Sequence, residues 1–479
     1  MALAETSPAV AITTIKPSRV GKYWGLVVAC AVLLVILALP TPEGLPLAGQ
    51  RMLAIFGFAV VVWVTEALDY AVSAVVIAAL MAVLLGLSPN VANPKALYGT
   101  VAGLTMAASG FSNVALILVA AALFLAAAMT ITGLDHRIAL VVLRRVGART
   151  SRVVIGTIIV AIVLAFGVDR KSRFAGMMMI TTVQAISIWN VGIKTAAAQN
   201  MIAIGFIHSI LHQDVTWLSW LIAAAPFSIA MSIGLYFIMM LMMPPETKEL
   251  PGGHDAVAKA LAERGPMTGA EKRLLTIALT LLCFWATEGK LHSFDSQTTT
   301  TVAVALLFLP GIGVMDWKKA NALIPWGTVV LFGVGIGLGT ALLQTHAAQW
   351  LAALIVQWFG LNQLAGLGIL AVMAIFLVVI HLGFASATAL ASTMIPIVIA
   401  IMQKVQTPGI SVIGMTILLQ FVVSFGFILP VNSPQGMLAY GTQTFVVRDF
   451  VRTGIAITVL AYGLTLIFGA TYWHWLGYV

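Results

Sequence analysis

Long apolar blocks alternate with short polar interruptions along the whole chain. The apolar segments fall at 23–40, 52–68, 71–88, 112–134, 151–168, 174–210, 217–243, 274–288, 297–312, 328–343, 363–380, 388–403, 411–429 and 452–473. Several exceed the roughly 17 residues that cross a ~30 Å hydrocarbon layer. The pattern predicts an all-α polytopic membrane protein. The longest polar interruption, Pro244 to Arg273, mixes charges of both signs with Pro and Gly. It reads as a cytoplasmic linker carrying one short helix, and it divides the chain almost in half.

Composition adds the exclusions. With 61% hydrophobic and 9% charged residues and a mean hydropathy of +1.05, a soluble chain of this length could not stay dispersed. The net charge of +9 is spread over short loops, the distribution of the positive-inside rule, so it gives no basis for a nucleic-acid partner. Cys30 and Cys283 lie inside apolar runs, which rules out a disulfide framework or a cysteine metal site. Lys16, Arg19 and Lys22 precede the apolar run from Tyr23 to Leu39, predicting a retained first helix in the inner membrane with its N-terminus cytoplasmic. No phosphate-binding loop and no nucleophile–base–acid set occurs, so ATP coupling and enzymatic chemistry are not expected.

The halves repeat. "WVTE" at Trp63–Glu66 returns as "WATE" at Trp285–Glu288; "TGLDHRIALVVLRRVG" from Thr132 matches "THAAQWLAALIVQWFG" from Thr345; "KTAAAQNMIAIG" from Lys194 echoes "NSPQGMLAYG" from Asn432. The arm in the first half holds Arg137, Arg144, Arg145, Arg149 and Arg152, whereas 346–362 has no Lys or Arg. Positive-inside logic puts the two arms on opposite faces, and inverted-topology repeats are a signature of secondary transporters.

Chemistry concentrates in two stretches of the second half. "GFASATALASTMIPI", from Gly383, sets small hydroxyls after an apolar run, and "FILPVNSPQGMLAYG", from Phe427, breaks a helix with Pro430 and Pro434 around Asn432. Non-helical backbone at membrane depth is tolerated only inside protein or beside a cavity. The pair therefore predicts a re-entrant hairpin tip meeting an unwound helix, where freed amides attract an anion while carbonyls and hydroxyls hold a small cation. Close packing of small residues is the alternative reading of "SATALAST" taken alone.

The sequence resembles the divalent-anion:sodium symporter family, carriers of dicarboxylates, citrate, tartrate or sulfate. The resemblance rests on "VTEALDYAVSAVV" at Val64, "TGLDHRIAL" at Thr132, "NVGIKTAAAQNMIAIGF" at Asn190, "IPWGTVVLFGVGIGLGTAL" at Ile324, "HLGFASATALASTMIPI" at His381 and "FGFILPVNSPQGMLAYGT" at Phe425. In that family a Ser-Asn-Thr tip on each of two hairpins contacts substrate carboxylates and helps form sodium sites. Here the second tip is Ser386-Ala387-Thr388, a form nearer the exchanger-type carboxylate carriers. The resemblance implies substrate contacts at Ser386, Ala387, Thr388, Asn432, Ser433, Lys194, Thr195 and Asn200. It implies sodium, as a coupling ion rather than a cofactor, at Gly192, Ser386 and Asn432. It further implies a homodimer in the lipid bilayer with an elevator motion. The expected organisation is a cytoplasmic tail 1–22, scaffold helices 23–150 and 274–362, transport parts 151–243 and 363–479, and the linker 244–273.

Other polar residues carry two readings each. Lys194 stands where relatives often have Gly, and either replaces a bound cation or snorkels to an interface. Glu66 and Glu288 lie near span ends and suggest structural roles. His381 senses pH, lines a cavity or is simply hydrogen-bonded. His208, His212 and Asp214 have a spacing open to metal, and hence to a membrane-embedded metalloenzyme, but a solvated helix end accounts for them.

One segment is short. The repeat offset is 213 residues up to Gly147–Gly360 and 236 from Asn200–Gly436 onward, so the first half lacks 23 residues between its arm and "NVGIKT". No Ser-Asn-Thr-like tip is legible there. Either the local alignment is wrong or this is a deleted form of a working carrier, with a stunted first hairpin, an incomplete first cation site and impaired transport.

Overall fold

Backbone amides in hydrocarbon must find partners within their own segment, and the chain answers with helices throughout. The computed structural model describes residues 19–146, 172–246, 253–384, 386–405 and 407–479. The segment 151–168, and with it the expected stunted first hairpin, lies outside the described residues. In the first half come α1 (Arg19–Ala38), α2 (Leu47–Thr65), α3 (Tyr70–Leu80, extended by a π turn Met81–Leu85), α4 (Thr100–Ala108), α5 (Val114–Thr132), α6 (Leu134–Val146), α7 (Arg173–Gly192), α8 (Ala198–Leu211) and α9 (Trp217–Met242). The linker carries α10 (Gly253–Glu263). The second half holds α11 (Gly269–Thr287), α12 (Ser296–Phe308), α13 (Trp317–Leu323), α14 (Trp326–Gln344), α15 (Ala347–Trp358), α16 (Gly366–His381), α17 (Ala387–Lys404), α18 (Val412–Val423), α19 (Pro434–Gly441), α20 (Val447–Ala470) and α21 (Tyr472–Trp475). Among the described residues, seven helices are long and apolar enough to cross a membrane: 47–65, 114–132, 173–192, 217–242, 326–344, 387–404 and the run 447–475.

The repeat noted in the sequence has a physical counterpart. Trp63 donates its indole N–H to Ser73 on α3 at 2.9 Å, and Trp285 donates to Thr300 on α12 at 3.2 Å. Each half therefore ties its "W-x-T-E" helix to the next helix through the same indole–hydroxyl bond. Each half also contains a broken helix, α7/α8 in the first and α18/α19 in the second.

Helix α14 is the hub, packed against α3, α4 and α17. Its "GVGIGLG" run makes that possible. A Cβ on Gly337 would lie 2.3 Å from the Ala107 carbonyl oxygen, and one on Gly339 would lie 2.6 Å from the Pro396 ring and 2.4 Å from Phe206. Only hydrogen fits there, so α4, α8 and α17 approach the α14 backbone. Helix α17 is almost wholly buried from Ala389 to Met402, as expected of an element surrounded by protein rather than lipid.

The linker is less free than its composition suggests. Arg137 on the arm helix α6 donates to Glu271 at 2.8 Å and to the carbonyls of Gly265, Arg264 and Pro266. Arg264 returns a bond to the Gly133 carbonyl at 3.0 Å. Arg137 and Glu271 are both buried, and Glu271 also closes a capping box with Thr268. Helix α11 thus starts at Gly269, inside the stretch expected to be linker, because the polar residues that looked solvated are spent on caps and on this clasp.

The Arg137 guanidinium beside it holds the Glu271 carboxyl below the usual carboxylate range. A depressed carboxylate pKa stabilises the fold above the unfolded value of about 4.3, and that contribution is lost as pH falls through the folded value. Arg137→Ala should lower stability at pH 7 by roughly 3–5 kcal/mol, the cost of stranding a buried charge. Thermal unfolding in detergent at pH 7 and at acid pH checks this. The gap between wild type and variant should narrow on acidification, and a pH-independent gap would contradict the clasp.

Candidate functional site

In the second half, α16 ends at His381 and α17 starts at Ala387, with Ser386 as its N-cap; the Ser386 hydroxyl accepts the Ala389 amide at 3.4 Å. With 16 residues, α16 is about 24 Å long, short of the ~30 Å hydrocarbon core. Facing this tip, α18 stops at Val423, and the chain runs irregularly to a 3₁₀ turn at Pro430–Asn432 before α19, capped by Ser433, begins. Asn432 joins the two. Its amide N–H groups donate to the carbonyls of His381 (2.8 Å) and Phe384 (2.7 Å), and its side-chain oxygen accepts the Leu429 amide (3.1 Å). One buried amide thus satisfies backbone on both the tip and the break.

The first-half break is built the same way from different residues. Helix α7 ends at Gly192, a 3₁₀ turn covers Lys194–Ala196, and α8 follows. Asn200 donates to the carbonyls of Asn190 (2.6 Å), Ile193 (3.2 Å) and Lys194 (3.5 Å). The breaks are then cross-linked. Gln420 donates to Asn200 and Ser424, Gln199 donates to Ser424, Gln184 to the Phe427 carbonyl and Gln435 to Ser187. The side-chain oxygens of Gln184 and Gln420 are buried without a partner among the described residues.

The expected residues do not all converge. Ser386, Ala387, Asn432 and Ser433 are buried at the tip–break crossing, and Thr388 is half-buried beside them. Gly192 packs on Ser228 of α9, where a Cβ would lie 2.9 Å from the hydroxyl. Thr195 is half-buried. Lys194 departs most from expectation. It neither snorkels nor reaches the tip: its ammonium is buried and donates to the Val215 carbonyl (2.6 Å) and the Ser296 hydroxyl (3.1 Å). Glu288 completes that cluster, accepting the amides of Trp217 and Ser296 at 2.9 and 3.0 Å. It caps two helix starts, a structural role.

His381 also differs. Its ring is buried, yet neither nitrogen has a hydrogen-bond partner among the described residues. His208 pairs with Asp214 at 2.9 Å on an exposed helix end, with His212 as a left-handed C-cap. Sequence reasoning missed Gln184, Gln199, Gln420 and Ser424, although lone amides within apolar runs are a legible signal.

Two interrupted helices are locked together against the turn that joins α16 to α17, within a polytopic helical bundle; α16 and α17 themselves pack on α18 rather than closely on each other, so the tight re-entrant hairpin expected from the sequence is not seen. The match to a family model places the chain. The model described as sodium:sulfate symporter transmembrane region matches residues 20–176 and 165–479, and the chain belongs to this family. A Cupriavidus necator "membrane protein" is 54% identical over 95% of this chain and 93% of its own length. The Escherichia coli L-tartrate/succinate antiporter is 26% identical, covering 95% of this chain and 98% of the relative. The sodium-dependent dicarboxylate transporter SdcS of Staphylococcus saprophyticus is 23% identical, covering 93% and 90%. The chain is accordingly a transporter and not an enzyme.

Asn432→Ala strands two carbonyls and an amide, each costing about 1–3 kcal/mol when buried unpaired. It should destabilise the protein clearly more than Thr195→Ala, measured as thermal unfolding midpoints of the two purified variants. Equal midpoints would mean that Asn432 does not hold tip and break together.

Proposed function

We propose that the protein carries small di- or tricarboxylate anions across the inner membrane, by symport or by exchange. The observation that carries this reading is the crossing of the Ser386 tip with the Pro430–Asn432 break. There two helix starts, capped by Ser386 and Ser433, lie in one buried region. Helix N-termini attract anions through unsatisfied amides and the helix dipole. The side chains of Ser386 and Asn432 already accept backbone amides, so a sodium ion there would draw mainly on backbone carbonyls and on remaining lone pairs. Relatives named as a sodium-dependent dicarboxylate transporter and as a tartrate/succinate antiporter support the substrate class while dividing over the coupling. Sulfate remains an alternative cargo within the family. The N-terminus is cytoplasmic, and the protein works as a homodimer with an elevator motion; these points rest on loop charge and on the family resemblance.

A second reading, a shortened and transport-impaired carrier, is favoured by two sequence observations. The family model matches in two pieces that overlap at 165–176, beside the place where the repeat offset changes. The match to the C. necator relative runs over 481 aligned positions but takes in 95% of this chain, about 455 residues, so roughly 26 positions have no residue here. That number is close to the 23 residues by which the first half falls short.

Counterflow in proteoliposomes, with a carboxylate and sulfate panel and with or without sodium, tests both readings. Accumulation of a labelled dicarboxylate supports the carrier, and absence of counterflow for every anion supports the impaired form. Ser386→Ala and Thr388→Val should each cut uptake at least roughly tenfold, about the loss of one hydrogen bond to a charged group. Wild-type uptake by both would remove the tip from the site. If Lys194 does the work of a cation, Lys194→Gly should raise sodium dependence or abolish transport, whereas unchanged sodium-independent uptake would leave it a purely structural lysine.

A further inference from the structure

A half-open cavity of about 300 Å³ lies between α1, α2 and the π turn after α3, lined by Leu37, Leu47, Gln50, Arg51, Leu84 and Leu87. Four of its walls are leucines, and Arg51 is its one charged group. Gln50 is turned away, its amide donating to the Ile36 and Leu39 carbonyls. The guanidinium is only partly used. Its Nη1 donates to the Leu84 carbonyl at 3.1 Å and to the Ser88 hydroxyl at 3.2 Å. The Leu84 carbonyl is open to side-chain donors because the helix ends there: the Ser88 amide turns to the Leu85 carbonyl, and the Ser88 hydroxyl also donates to Leu84 at 2.7 Å. The Nε–Nη2 edge, the fork that pairs bidentately with a carboxylate or phosphate, has no hydrogen-bond partner among the described residues. No ion pair joins Arg51 to a described carboxylate.

We infer that this cavity is a site for the headgroup of an anionic phospholipid, with the phosphate on the free edge of Arg51 and the first acyl carbons against Leu37, Leu47, Leu84 and Leu87. Charge complementarity demands an anion, and the surroundings demand that it carry hydrocarbon. Leu34, Val35, Leu39, Leu47, Val83 and Leu87 are all exposed on or beside the same three elements, an apolar surface suited to lipid hydrocarbon. Arg51 stands four residues inside the start of α2, about 6 Å along the helix, which is headgroup depth. A cavity of this volume takes a headgroup and the upper chain but not a whole lipid, in keeping with its open side. Basic pockets between transmembrane helices hold lipid headgroups in this manner.

The test uses the purified full-length protein, delipidated in detergent, with native mass spectrometry and thermal unfolding as readouts. Phosphatidylglycerol should be retained over phosphatidylcholine by roughly tenfold, the worth of a charge-assisted hydrogen bond, and should raise the unfolding midpoint. Arg51→Gln should erase that preference. Leu87→Trp, which keeps the guanidinium but fills the cavity at a half-exposed position, should weaken retention as well, and it decides the matter if Arg51→Gln does not fold. Equal retention of the two lipids by wild type, or an unchanged preference in Leu87→Trp, overturns the inference. So does equal stabilisation by inorganic phosphate or succinate, which would make this a site for a soluble anion.

Discussion

An interrupted helix in a membrane leaves backbone amides and carbonyls with no water to turn to, and every special feature of this protein follows from that debt. Pro430 and Pro434 remove two donors within five residues, and the chain at 424–433 is irregular. The answer is side-chain amides, which supply donors and an acceptor in one rigid group. Asn432 serves the second break, Asn200 the first, and Gln184, Gln199 and Gln420 the space between them. Carboxylates would bring an uncompensated charge and hydroxyls too few donors. The tip and the breaks are therefore not loose loops but closely bonded joints.

Charge is handled by the opposite rule: among the described residues it is kept out of the crossing. Arg137 and Glu271 neutralise each other where the arm meets the linker. Lys194, the cation nearest a break in sequence, sends its ammonium to a carbonyl and a hydroxyl beside the Glu288 carboxylate. An anion entering the crossing would therefore meet amides and hydroxyls rather than a fixed positive charge.

How much of this was legible follows from what each signal depends on. Span positions came from composition over twenty residues, and the observed helices track them closely; α17 runs from 387 to 404 where the apolar segment suggested 388–403. The run 174–210, continuous in hydropathy, is in fact two helices, because "KTAA" is small enough not to interrupt the apolar average while Asn200 ties the break from within. The tip and the second break were legible because proline and small hydroxyls are local signals. The placement of Lys194 was not, since its partners Val215 and Ser296 lie 21 and 102 residues away. The surroundings of His381 were not legible either: sequence left pH sensing, cavity lining and simple hydrogen bonding open, and the ring is buried with neither nitrogen hydrogen-bonded among the described residues.

The two breaks are alike in device but not in object, and that difference bears on the shortened first half. Asn432 gives its donors to carbonyls of the turn between α16 and α17, so the second break is complete only when that turn is in place. Asn200 spends its donors on carbonyls at 190, 193 and 194, within its own break, and its oxygen on Gln420 of the other half. The first break thus satisfies its backbone without drawing on any hairpin among the described residues. A chain that lost part of the first hairpin would still close this joint, because the groups that close it lie after the missing stretch.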